Sequence, residues 1–522
     1  MHFCNAESRG FSIIEALLGS AVLALLVTAI VGALIFGRES ATTAGARTRA
    51  AFLAEEGMEA VRNIKDADFC NLTVGTHGLS SGSGKWEFSG TGDMTEKFSR
   101  TVDIVEVNPQ TRQVTVTVTW QQNPQRTGTI SLVGYFTFWK STPTTWWDTN
   151  WLNRRKITFA NGTRGQLDNF PVLIALTAPT NIDYAKTQNN GEDIRFVDPD
   201  DIANSPPCIP APILSHEIER WNEGGTSYLW VKGPKIDANS TTDFIWMYYN
   251  NPAAPDPQID SAFTQGVWSN GYVGVWHMKE VPPAQIKDST VYANHGTPKG
   301  GMDAADSITG QIGSALDFDG GVGGVPWDYL DAGNSPSLQI SGVVPITLEA
   351  WAVPHPDWFL GVNNGTKSIA AKYKGGVDPD EHSYTLRIGG TERWTFYLGS
   401  GPDASRVFAN TPTDVITPST GWDYVVGTYD GVSTLYVYNE GVLGGTGTPF
   451  PMPAYSSIGI YNTSATFKIG TSAGTGPDQS FFGSIDEVRV SNSTRSADWI
   501  NAQHESMRTG GAFVSYDAEK SQ

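Results

Sequence analysis

The stretch from Phe11 to Phe36 limits what this chain can fold into more than any other, because Glu15 is its only ionisable residue. A helix rising about 1.5 Å per residue over that run exceeds the roughly 30 Å hydrocarbon core of a bilayer, so a membrane-spanning helix is predicted. A carboxylate near the end of a lipid-embedded helix is costly unless a positive group meets it, which marks Glu15 as a functional residue. A secretory signal peptide is cut after its apolar run at an A-x-A-like site, and Ser20 to Gly37 offers no convincing one. A plain signal-anchor helix explains the apolar run and leaves its flanking residues to chance.

Those flanking residues are specific. Arg9-Gly10 closes a short polar leader, Phe11 opens the apolar run, and Glu15 stands four residues further on. The pattern resembles the prepilin signal of type IV pilins and their relatives. The resemblance implies that prepilin peptidase cuts between Gly10 and Phe11 and that Phe11 becomes the N-methylated terminus. It also implies that Glu15 guides assembly with other pilin subunits, the freed amine of a neighbour's Phe11 being its charge partner.

The helix is predicted to outlast the membrane. Ala50, Leu53, Ala54, Gly57, Val61 and Ile64 recur at three- and four-residue spacing, with Arg49, Glu55, Glu56, Glu59 and Arg62 mostly elsewhere on the wheel. One helix from Phe11 to about Asp66 would be about 80 Å long. Residues 67–142 read as a small β head domain that packs on its second half. There Val114, Val116, Val118 and Trp120 alternate with Thr115, Thr117 and Thr119, so the apolar set shares one face of a strand. Gly78-Leu-Ser80-Ser-Gly82 matches a bare nucleophile-elbow pattern, but its Ser/Gly-rich setting makes it a loop.

Composition narrows the rest. One core cannot serve 522 residues, and the length predicts about three domains. A net charge of -19 and a pI near 4.8 argue against nucleic-acid binding, which needs clustered Lys and Arg. Gly, Pro and Trp are plentiful and only 17% of residues are charged, as in β-sandwiches joined by turns. Cys4 lies in the leader. Cys70 and Cys208 make one widely separated pair, too little for a disulfide framework, and a bridge between them is not expected.

After the spacer Ser141 to Thr145, residues 145–250 show short strands at regular spacing, such as Phe170 to Leu176, Tyr228 to Lys232 and Thr242 to Asn250. They predict a β-sandwich, and the ordered set resembles an uncharacterised β-domain of prokaryotic surface proteins, which implies location more than chemistry. Two His-Glu pairs, His216-Glu217 and His504-Glu505, are followed by Arg220 and Arg508 where a zincin needs its second His, so the metalloprotease motif fails twice. Trp221 and Trp230 read as core.

Beyond a Pro/Asp-rich linker at 251–271, residues 272–516 carry Gly274-Val-Trp-His277, Ser314 to Gly320, Ile346 to Trp351, Trp422 to Gly431 and Gly483-Ser-Ile-Asp-Glu-Val-Arg-Val490. Asn439-Glu-Gly441 is a hairpin-turn signal, and Ser496 is a helix N-cap. The set resembles laminin-G-like, concanavalin A-like jelly rolls, a fold that hosts glycan binders, protein binders and glycosidases. Its glucanase branch uses a Glu-x-Asp-x-x-Glu strand, and no Glu here is followed two positions later by Asp, so no enzyme activity is expected. Trp358, Tyr373 and Trp394 are more consistent with core than with sugar platforms. The resemblance implies a structural Ca²⁺ held by Asp486, with Asp288 from the Asp288 to Gly296 loop as second ligand.

The expected fold class is mainly β with one long N-terminal helix: leader 1–10, helix 11–66, head 67–142, β-sandwich 145–250, linker 251–271 and jelly roll 272–516. The expected protein is a type IV pilin-like surface subunit, minor or at the tip because of its bulk. It sits in the inner membrane before assembly and displays a lectin-like module for adhesion to glycans or proteins. A secretion pseudopilin and a surface glycoside hydrolase are the alternatives.

Overall fold

The computed structural model describes residues 12–82, 84–108, 110–138, 146–200, 212–321, 326–356, 366–374, 381–390, 392–399, 406–413, 416, 421–447, 459–472 and 479–522. Cys4, Gly10, Phe11, Cys208, Trp358 and the spacer lie outside them. The chain divides into two compact units, one on residues up to 144 and one on residues from 145 onward.

In the first unit a single helix runs Ile13–Ala67. Ser12 starts it with a capping box: its hydroxyl accepts the Ile14 N–H, while the Glu15 carboxylate accepts the Ser12 N–H at 3.1 Å. Among the described residues nothing covers the apolar side chains of its first half, Ile13 being 80% and Phe36 74% exposed. Downstream, Ala50, Leu53, Ala54, Gly57, Ala60, Val61 and Ile64 are buried, the face foreseen from the spacing plus Ala60. They pack on a five-stranded antiparallel sheet whose inner face carries Val102, Val114, Val116, Val118 and Trp120. Gly57 permits that approach, since a Cβ there would lie 2.8 Å from Val116 Cγ1. Arg100 stitches sheet to helix by donating to the Leu53 carbonyl, Glu56 and Asp93. Leu79–Ser80 is a two-residue strand paired with Glu87–Phe88, not a nucleophile elbow. Cys70 is disulfide-bonded, contrary to the expectation drawn from its spacing.

The second unit is layered. Its centre is an eight-stranded antiparallel sheet containing Tyr272–Trp276, Ile346–Pro354, Asp423–Tyr429 and Phe482–Ser491. One face, with Leu348, Ala350, Val425, Val488 and Val490, packs on a seven-stranded sheet that supplies Tyr384, Leu386, Trp394 and Phe396. This is the jelly roll. The opposite face presents Trp351, Tyr424, Val426 and Tyr438 to a second core containing Ile157, Phe170, Val172, Ile174 and Trp230, so the central sheet is buried on both sides.

The cover on that second face comes from residues 146–250, as two small sheets, and from the helix Ala497–Met507, which Ser496 caps as expected. Here the structure redraws the expected boundaries. Val514–Tyr516 and Lys520–Ser521 return to pair with Asn153–Phe159, so the end of the chain completes a sheet begun near residue 153. The segment 251–271 is not a linker. It folds into short helical turns, and its Trp268 is 1% exposed in the shared core. Sequence spacing could mark the strands, but not that the outward side chains of one module were the inward side chains of the next.

An isolated 272–516 fragment therefore exposes the Trp351, Tyr424 and Tyr438 face. It is expected to bind a hydrophobic dye and melt without cooperativity, whereas 146–522 melts in one sharp transition. A sharp, dye-free melt of the short fragment would contradict the shared core.

Candidate functional site

Polar groups enter the doubly buried sheet through a β-bulge. Strand register places Arg489 opposite Glu349 and Asp486 opposite Trp351, which inserts one extra residue on the Phe482–Ser491 strand. Glu487 takes the strain at φ 52°, a left-handed conformation uncommon for a residue with a Cβ. Its carboxylate is buried on the side of the second core, where the residues around it are charged.

His277 follows the Tyr272–Trp276 strand and lies against the rings of both Trp230 and Trp268, at centroid distances of 5.9 and 5.3 Å. Its Nδ1 donates to Glu487 Oε1 at 2.6 Å and lies 3.7 Å from Glu219 Oε2, while Nε2 lies 3.4 Å from Glu217 Oε2. Arg489 donates to Glu487 Oε2 at 2.6 Å and rests 4.4 Å from the Trp230 ring centroid. Glu217 accepts from Lys279 and Ser289 on Oε1 and from the Trp268 indole on Oε2. Trp230 Nε1 donates to Glu219 Oε2 at 2.7 Å. A surface cleft of about 640 Å³ reaches the cluster, lined by Glu219, Arg220, Lys279, Ser307, Thr309, Gly313 and Ser314.

The electrostatics follow from low polarisability and close opposite charges. Burial alone would depress the His277 imidazole, but Glu487 and Glu217 overcome it and push it up to about 10. Burial would raise Glu217, yet Lys279 and His277 hold it well below the usual carboxylate range. Glu219 has no permanent cation of its own; burial and then Glu487 push it up to about 8. Asp486 is raised for the same reasons, burial first and then Glu487 and Glu219. In the ion-free protein the cluster therefore holds ion pairs beside two neutral acids.

The expected calcium ligands Asp288 and Asp486 are both buried. Asp288 accepts four hydrogen bonds, from the backbone N–H groups of Val275, Thr290 and Asn294 and from the Thr290 hydroxyl. It closes its own loop and has no oxygen turned toward an ion. Asp486 accepts the Ile312 N–H through Oδ2 at 2.9 Å, and Gly310 is pressed against the same oxygen. Oδ1 of Asp486 is buried without a hydrogen-bond partner. Glu15 sits in the helix cap described above, while Gly10 and Phe11 lie outside the described residues. Trp394 is core at 0% exposure, as read from sequence, and His216 is a neutral core histidine, held down to about 3 by burial.

Glu217, Glu219, His277, Glu487 and Arg489 carried no functional reading in the sequence. The one available signal was Glu217-Ile-Glu219 on a strand, where a period of two puts both carboxylates on one face.

The family-model match over part of the jelly roll fits this architecture. Residues 327–501 match the family model of the concanavalin A-like lectin/glucanases superfamily, and residues 190–265 match that of a domain of unknown function, DUF2341. No curated protein matches the chain. Among solved structures it is similar to domain 4 of AbnA, a GH43 extracellular arabinanase from Geobacillus stearothermophilus in complex with arabinotriose. The identity is 17% and the TM-score 0.32, over 45% of this chain and 98% of that one. It is also similar to the binding domain of botulinum neurotoxin DC in complex with rat synaptotagmin II, at 13% identity and TM-score 0.33, over 46% of this chain and 52% of that one. The same figures hold for botulinum neurotoxin type C, whose cell entry depends on interaction with two ganglioside molecules. The chain spans about half the length of those toxin binding domains.

Removing one partner of a buried ion pair leaves an uncompensated charge, at a cost of about 3–5 kcal/mol. Arg489→Met is expected to lower the melting temperature of the second unit sharply, and adding Glu487→Gln to restore part of the loss. Additive losses in thermal melts of the single and double variants would show that the pair is not coupled.

Proposed function

We propose that the chain is a type IV pilin-like surface subunit, minor or at the tip of a filament, that displays a lectin-like jelly roll for adhesion to glycans or proteins. The observation that carries the reading is the Ile13–Ala67 helix, apolar and uncovered along its first half and packed under a β head along its second. That division suits a helix held first in the inner membrane and then among neighbouring subunits, as the Gly10, Phe11 and Glu15 pattern implies. Prepilin peptidase and other pilin subunits are its partners in this reading.

The display role is supported by the concanavalin A-like match. Ligand contact is assigned to the edge of the seven-stranded sheet, where Phe408 on the end strand is 47% exposed. Its cross-strand partner Tyr397 is buried, with Arg387 at 4.6 Å from its ring centroid. Aromatic and guanidinium planes suit stacking on sugars or on protein side chains. The cleft beside His277 is lined by one carboxylate, Glu219, and glycoside hydrolysis ordinarily needs two, so this reading is of binding rather than cleavage.

Protein from sheared surface filaments is expected to begin at Phe11 by mass spectrometry, and Glu15→Gln to remain in the membrane fraction while disappearing from filaments. An intact Met1 terminus in filaments, or wild-type levels of the variant there, would overturn the pilin reading. On a glycan and protein array, Arg387→Ala with Phe408→Ala in the full chain is expected to lose at least tenfold in binding, about 1.4 kcal/mol. An unchanged array profile would remove this edge as the contact.

A further inference from the structure

Three side chains from separate segments converge beside the cleft. Glu219 comes from the His216–Arg220 strand, His277 from the turn after Trp276, and Glu487 from the bulge, and one ligand atom from each lies within 4.8 Å of the other two. Their side chains are at most 1% exposed. We propose that they hold one zinc ion, His277 through Nδ1 and the glutamates through Oε2 of Glu219 and Oε1 of Glu487.

The geometry is close to that of an occupied site. Ligands about 2.0–2.1 Å from a tetrahedral zinc stand about 3.3 Å apart. The separations of 2.6 and 3.7 Å from His277 Nδ1 bracket that value, so half-ångström side-chain shifts admit the ion. As the metal bonds form, Nδ1 gives up the proton it shares with Glu487 and Glu219 gives up its carboxyl proton, and both protons leave to solvent. The second shell is already in place. Glu217 faces Nε2 and would fix the imidazole tautomer, Trp230 donates to Glu219, and Arg489 donates to Glu487, the support that ligating imidazoles and carboxylates require.

A further observation points to a missing cation. Among the described residues Glu219 Oε1 is buried with no hydrogen-bond partner, and it lies against Gly313, where a Cβ would stand 2.7 Å away. That oxygen borders the cleft, which gives an ion a way in and leaves room for water as a fourth ligand. A nitrogen ligand among so few oxygens favours zinc over calcium. The site binds the jelly roll to its neighbouring layer and is independent of the adhesion reading.

The test uses full-length protein in detergent, wild type, Glu219→Gln and His277→Gln, incubated with zinc, desalted and measured by elemental mass spectrometry. About one zinc per wild-type chain is expected, with less than roughly a tenth in either variant. A chelator should lower the wild-type melting temperature and zinc should restore it, while leaving Glu219→Gln unmoved. Should His277→Gln fail to fold, the isosteric Glu219→Gln and the chelator arm decide. Wild type without zinc and with chelator-insensitive melting, or equal zinc in wild type and Glu219→Gln, would overturn the site and leave a proton-filled network.

Discussion

Burial of one β-sheet on both faces governs the second unit. A two-layer jelly roll ordinarily shows water the outer side of each sheet, and polar residues there need no partners. Here residues 146–250 and the C-terminal strands cover the Phe482–Ser491 side, so Glu487, Arg489 and Glu349 are taken out of water. Buried charges persist when paired and hydrogen-bonded, and the partners come from the covering layer, as Glu217 and Glu219, and from Lys279 and His277. The indoles of Trp230 and Trp268 enclose them. The cluster thus joins segments far apart in sequence, and the chain's own end, at Val514–Tyr516, closes the structure over them.

The helix obeys the opposite rule. Among the described residues its first half is left uncovered, while its second half is fixed by Arg100, Gly57 and the valine face of the sheet. In the proposed reading, assembly and display fall to separate parts of one molecule.

How much of this was legible in the sequence depended on the range of the interaction. The helix face from Ala50 to Ile64, the alternating Val114–Trp120 strand, the Asn439-Glu440-Gly441 turn and the Ser496 cap were all readable, because each is set by neighbours within a few residues. Both turn residues, Glu440 and Gly441, do take positive φ. The candidate site was not readable. Glu217, Glu219, His277 and Glu487 lie in three separate segments, and each looks like an ordinary solvated charge until the sheets are stacked. Asp288 and Asp486 differ in what the fold asks of them: backbone N–H groups and the Thr290 hydroxyl take both oxygens of Asp288, whereas Asp486 accepts the Ile312 N–H through Oδ2 and keeps Oδ1 buried without a partner. Trp268 was placed in a linker because Pro and Asp around it signal turns, and turns can be folded into a core.

The jelly roll and the layer over its sheet form one cooperative body. Hydrogen exchange of the full-length protein in detergent tests it most directly. Amides of Asn153–Phe159, Thr226–Ile236, Ile346–Pro354 and Phe482–Ser491 are predicted to exchange at a common slow rate set by a single global opening. Exchange of Asn153–Phe159 and Thr226–Ile236 through a separate, faster opening, with Phe482–Ser491 still protected, would contradict it.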